Sequence, residues 1–120
     1  MTSLVFFYLL TVKHAIADLH LQARLNNRGS KSNLRTPRLW LHCLDHSLLT
    51  FFVALLIVGI PQAIVISLLD FVFHFAIDYT KTLIQKKNGI DYSSKEYWFY
   101  ASIDQIAHFT TYFIIVLWAV

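Results

Sequence analysis

Long apolar stretches alternate with short polar connections along this chain, and inside the apolar stretches polar residues recur four apart. Four helices are expected, over about 3–24, 37–58, 61–87 and 94–120, with a basic loop over 25–36. The first opens with SLVFFYLLTV and turns polar at Lys13, His14, Asp18 and His20. Thr36-Pro37 reads as an N-cap followed by proline at the first helical position, and Gly59 as the stop of the second helix. Pro61 restarts the chain at once, making a tight hairpin, and Asn88-Gly89 ends the third helix. Ser93-Ser94-Lys95-Glu96 has the capping-box form, serine with glutamate three residues on. No strand signal, low-complexity run or domain linker appears, so the fold class is all-α and residues 1–120 form one domain.

Composition turns a helical reading into a membrane one. The 120 residues are 57% hydrophobic and only 14% charged, where a soluble domain carries about a quarter charged residues. Residues 47–69 hold no charge, whereas 24–38 hold Arg24, Arg28, Lys31, Arg35 and Arg38 without an acid. This segregation indicates an integral membrane four-helix bundle, antiparallel, with a polar core of histidine and aspartate. Lys86, Lys87 and Lys95 add positive charge to the connection between helices three and four. Basic loops stay cytoplasmic, so the expected location is the inner membrane, multi-pass, with both termini and the hairpin on the opposite side. A formal charge of +3, concentrated in the loops, points to anionic lipid headgroups as partners. With no basic-aromatic recognition module, no nucleic-acid role is assigned.

Other features fit the same picture. Cys43, the single cysteine, excludes an internal disulfide and reads as a small buried apolar residue. Ala15-Ile16-Ala17 has the form of a cleavage site, but no basic residue precedes it and Lys13-His14 interrupts the stretch, so a retained helix is expected. Trp40, Tyr97, Trp98, Tyr100 and Trp118 suit aromatic belts, and His20 the interface.

Five of the six histidines belong to pairs of ligand-type residues spaced i, i+4: His14 with Asp18, His42 with His46, His74 with Asp78, and Asp104 with His108. Such spacing stacks both side chains on one helix face. Counted from the basic ends, His14, His46, His74 and His108 fall about seven to eleven residues deep, roughly 10–16 Å at 1.5 Å per residue. Asp18, His42, Asp78 and Asp104 fall about three to seven deep, again at 1.5 Å rise per residue. Helices of alternating direction thus bring an inner histidine layer and an outer, mostly aspartate layer to common levels. A lone polar residue in a membrane helix is usually a packing residue, and a His–Asp pair can simply neutralise itself. Four pairs at matched depth favour a divalent metal site instead, for zinc, manganese or iron, one ion or two. Asp78, Asp104 and His74 are the candidates for catalysis. Gln22, Asp70, Lys81 and Gln105 are expected to orient the ligands or pair with them. Asp45, on another face, is expected to neutralise Lys13.

At these residues the chain resembles a family of small membrane proteins from bacteria and their phages, known only as a domain of unknown function. The motifs are His14-Ala-Ile-Ala-Asp18-Leu-His-Leu21-Gln22, His42-Cys-Leu-Asp-His46, His74-Phe-Ala-Ile77-Asp78-Tyr79-Thr-Lys81 and Asp104-Gln105-Ile-Ala-His108. The resemblance implies a four-helix membrane protein of phage or prophage origin and brings no activity. A weaker likeness, H-x-x-x-D on an apolar helix, is shared with membrane-bound metal-dependent hydrolases. Three functions follow in order of preference. The first is a metal-dependent hydrolase acting on a lipid headgroup or lipid-linked phosphate. The second is a proton or metal-ion conductor, and the third a phage-encoded protein that binds a host membrane complex. The oligomeric state is open, a homo-oligomer included.

Overall fold

A computed structural model describes all residues, 1–120, as four helices with no strand. They are α1 (Thr2–Ala15), α2 (Arg38–Leu55), α3 (Ile60–Lys87) and α4 (Lys95–Ala119). The helical path of α1 continues through a wider π-helical turn, Ile16–Leu21, and a tighter 3-10 turn, Gln22–Leu25. Each helix packs on its chain neighbours, and α1 closes the ring against α4, so α1 faces α3 and α2 faces α4 across the centre. The hairpin and both termini share one end, where Gln62 Nε2 donates to the Ala119 carbonyl at 3.2 Å.

Two helix starts and one helix end differ in detail from expectation. Pro37, not Thr36, occupies the cap of α2, and no side chain caps that helix. The Thr36 hydroxyl is engaged elsewhere, donating to the carbonyls of Ser30 and Asn33. Ser94, rather than Ser93, caps α4, accepting from the Tyr97 amide at 3.2 Å. Glu96 then sits one residue too early for a capping box. Pro61 lies in the first turn of α3 behind Gly59, where a missing N–H costs nothing, while α2 stops at Leu55 and leaves residues 56–59 to turn.

The interior is divided along the bundle. At the hairpin end, Phe6, Leu10, Ala54, Ala63, Ile66, Tyr112, Ile115 and Val116 make an apolar core. Toward the loop end the packing is polar: 11 of the 23 buried residues are polar or charged, among them five histidines, three aspartates and Lys13. The surface is the reverse. Leu4, Phe52, Leu56, Val72, Ile106 and Leu117 are each more than 60% exposed. Every exposed charged side chain belongs to residues 24–35 or 86–96, at the loop end. Two helical stretches, Thr2–Leu25 and Ile60–Lys87, are long and apolar enough to cross a membrane.

Candidate metal centre

Each helix delivers its i, i+4 pair to the bundle axis. In the deeper layer, the rings of His46 and His74 stack at 3.6 Å and those of His74 and His108 at 4.1 Å. His14 lies 4.9 Å from His46 and 4.8 Å from His108, centroid to centroid. The Tyr112 hydroxyl holds His14 Nδ1 at 2.9 Å.

Asp18, on the π-helical turn, is the meeting point of the shallower layer. Its Oδ1 lies 3.1 Å from both His42 Nε2 and His46 Nε2. Its Oδ2 lies 3.2 Å from His14 Nε2 and accepts from Gln105 Nε2 at 3.3 Å. His42 Nε2 in turn faces His74 Nε2 at 3.2 Å. Two ring nitrogens at that distance need either one proton between them or a cation facing both lone pairs. The Nδ1 atoms of these two rings are buried without a partner, so nothing behind either ring fixes its tautomer.

Asp78 bridges to the second half of the cluster. Its Oδ2 lies 3.3 Å from His42 Nε2 and 3.7 Å from His74 Nε2, while its Oδ1 lies 3.3 Å from His108 Nε2. Asp104 Oδ1 is 3.6 Å from the same His108 nitrogen. All eight ligand-type residues therefore come together, in three overlapping groups whose donor atoms lie within 4.8 Å of one another: Asp18, His42, His46 and His74; His14, His74 and His108; Asp78, Asp104 and His108.

Lysines complete the cluster. Lys81 Nζ is 2.9 Å from Asp104 Oδ2. Lys31, a loop residue, reaches down to pair with Asp78 Oδ2. Lys13 pairs with Asp70 Oδ2 at 2.7 Å, not with Asp45, which binds Arg24 on the surface. Asp45 lies on the outward side of α2, whereas Asp70 sits at the depth of Lys13 and faces it across the axis. Lys13 Nζ also lies 3.5 Å from His46 Nδ1. An ammonium can only donate, which makes Nδ1 the acceptor and puts the His46 proton on Nε2, toward Asp18. Asp70 thus reaches the cluster through Lys13. Gln105 touches both Asp18 and Asp104 through Nε2. Gln22 donates only to the Asp18 backbone carbonyl, leaving its own buried Oε1 free. His20 is exposed and Cys43 buried in the core.

The motifs that build this centre run through almost the whole chain, and residues 5–120 match the family described as a protein of unknown function (DUF3307). The chain belongs to that family. No curated protein and no solved structure matches it. Within this family member, four contributors escaped sequence reasoning: Lys13 as a core cation, Lys31, Thr50 and Tyr112. Three carry a signal in the sequence. Thr50 and Tyr112 continue the stripes of His42–His46 and Asp104–His108 by one more step of four. Lys13, in mid-stretch, needs an acid at equal depth. Lys31, in an aperiodic loop, has no such signal.

Proposed function

We propose that this chain is a multi-pass inner-membrane protein whose buried histidines and aspartates hold a divalent metal near the cytoplasmic surface, and that it hydrolyses a phosphate ester there. The inverted distribution of polarity supports the membrane setting: apolar side chains outside, charges confined to one end, and a long dimension of 43 Å. That matches the roughly 40–45 Å of a bilayer with its headgroup layers. The basic end, residues 24–35 and 86–96, faces the cytoplasm by the positive-inside bias.

The observation that carries the metal reading concerns charge. Of the five helical aspartates, Asp45, Asp70, Asp78 and Asp104 each contact a lysine or arginine. Asp18 has only imidazoles and an amide around it. Its side chain is 19% exposed, and a carboxylate taken that far out of water without a counter-charge is costly. Its neighbours His42 and His74 offer Nε2 lone pairs, and His46 would offer a third on giving up the Nε2 proton it turns toward Asp18. Three of the six separations among these donor atoms, 3.1–3.2 Å, are close to the edge of a tetrahedron, about 3.3–3.4 Å for metal–nitrogen bonds of about 2.0–2.1 Å, and all six lie within 4.8 Å. Asp78, with one oxygen toward this group and one toward His108, is placed to serve a second ion.

Such an ion supplies Lewis acidity, acidifying water and polarising a phosphoryl oxygen. The residues around it do the rest. Asp104 Oδ1, buried and without a hydrogen-bond partner, accepts the proton of the attacking water. The phosphorus–oxygen ester bond breaks, and Lys81 Nζ protonates the departing alcohol. The apolar core at the hairpin end argues for hydrolysis over conduction, because it closes the polar path half-way through the bundle.

Elemental analysis of detergent-purified protein tests the reading. Stoichiometric divalent metal is expected, reduced in Asp18→Asn and lost in the paired His74→Ala, Asp78→Asn variant. Wild-type protein that binds no added zinc, manganese or iron while keeping its helical circular dichroism would overturn it.

A further inference from the structure

Two cavities at the edge of the metal cluster share one side chain, Lys81. A polar pocket of about 200 Å³ opens at the loop end beside Gln22, Lys31, Arg38, Lys81, Gln85 and Tyr97. It is small for a drug-sized ligand, which occupies about 300–1,000 Å³, and suits a single phosphate group. An apolar groove of about 370 Å³ runs along the outer seam of α3 and α4 past Ile77, Ile84, Tyr100 and Ile103, and also borders Lys81 and Asp104.

We infer that the pocket and groove together bind one amphiphile, a lipid ending in a phosphate monoester. The phosphate enters among Lys31, Arg38 and Lys81, and an acyl chain lies in the α3–α4 groove. The junction at Lys81 carries the assignment: a basic concavity and an apolar trough meeting at one residue fit a molecule anionic at one end and aliphatic at the other. Asp104, at the same junction, brings the ester bond beside the carboxylate proposed as base, so this inference rests on the hydrolase reading.

The lysines explain how a site already holding acids can take an anion. Lys31 and Lys81 are engaged by Asp78 and Asp104. A divalent cation on those carboxylates competes for the same oxygens and frees both ammonium groups toward the pocket they already line. Arg38 needs no release. Its Nη atoms brace the loop through the Gly29 carbonyl and Asn26, and its Nε is buried without a partner. Metal and phosphate therefore bind with positive coupling, and by linkage each tightens the other.

The test uses protein loaded with Mn²⁺ in a phosphorus-free detergent, its metal content measured separately, and phosphorus NMR broadening by the ion. The probes are dioctanoyl phosphatidic acid and inorganic phosphate. Phosphatidic acid is expected to bind at least tenfold more tightly than inorganic phosphate. Ile103→Trp, filling the groove, should reduce it to the inorganic phosphate level without changing the latter. Lys81→Gln and Arg38→Gln should weaken both probes. In metal-free protein, followed by titration calorimetry, Asp104→Asn should strengthen phosphate binding by releasing Lys81. Metal uptake with no broadening, equal affinity for the two probes, or indifference to Ile103→Trp would overturn the inference and leave the metal centre standing. Failure to take up Mn²⁺ or any other divalent ion would overturn the metal reading and the coupled site together.

Discussion

Replacing Lys13 by methionine probes how the interior balances its charges. Lys13 and Asp70 are 3% and 1% exposed, and their 2.7 Å contact spans the bundle from α1 to α3. In Lys13→Met, Asp70 Oδ2 keeps only the Thr50 hydroxyl at 2.6 Å and faces no positive charge. Removing one partner of a buried pair costs about 3–5 kcal/mol, because the other remains as an uncompensated ion. Asp70→Asn leaves the ammonium in the same position, with the same order of cost. The double variant Lys13→Met, Asp70→Asn buries no charge, preserves volume and retains an acceptor for Thr50, so it should lie within about 1–2 kcal/mol of wild type, as buried pairs replaced together often do. Reversible unfolding in mixed micelles, followed by helical circular dichroism, gives the three values. The coupling is then about 4 kcal/mol or more. Single variants each costing less than about 1 kcal/mol, or a double variant equal to their sum within about 0.5 kcal/mol, would refute this account of the interior.

Arg24→Ala, by contrast, removes a pair whose arginine is 56% exposed and should cost under about 1 kcal/mol in the same assay. Tyr112→Phe deletes the hydroxyl that holds His14, whose Nε2 faces Asp18 Oδ2 at 3.2 Å; metal affinity measured by competition with a chelator should fall roughly tenfold to a hundredfold, as with other groups that orient a ligand. Saturating metal should stabilise the fold by about 2.7 kcal/mol at a hundred times its dissociation constant, read as a chelator-dependent shift in the unfolding midpoint. Gly29 has φ +99°, and a Cβ there would sit 2.5 Å from the Thr36 side chain. Gly29→Ala should therefore cost about 1–3 kcal/mol and loosen the loop that positions Lys31. Gly89, at φ +61° with open space around it, should accept asparagine with little change in midpoint.

How far the centre was legible depended on periodicity. The i, i+4 pairs fixed which face of each helix carried chemistry, and equal depth fixed the level at which the faces meet. His42 and Asp18, 3.1 Å apart in the fold, fall on one level by counting residues from the helix ends alone. Periodicity says nothing about loops, so Lys31 stayed hidden, nor about which acid a cation selects among several at similar depth. Asp45, on a face apart from His42 and His46, is the expected partner of Lys13, yet its side chain leaves α2 on the side of Arg24. The π-helical turn at Ile16–Leu21 has no glycine or proline to announce it. It swings the residues that follow around the helix axis, and Asp18 within it meets donors from α2 and α4 as well as His14.

The lysines also bear on how this interior distributes its negative charge. Lys13, Lys31 and Lys81 neutralise Asp70, Asp78 and Asp104 pair by pair, and each ammonium occupies oxygens that a cation would otherwise claim. Asp18 receives no ammonium, and its imidazole neighbours have to share protons with it. A bundle intended only to pack would gain from exchanging that residue for an amide, since an unpaired carboxylate among histidines is costly and replacing it removes the cost. On the proposed metal reading, a divalent charge would satisfy Asp18 without disturbing the other three pairs, so a first ion would belong with His42, His46 and His74. A second, between Asp78, Asp104 and His108, would have to displace two lysines and would bind more weakly. Sequential metal uptake, with the tighter step abolished by Asp18→Asn and the weaker step strengthened by Lys81→Gln, is the consequence that separates this ordering from a cluster of equivalent sites.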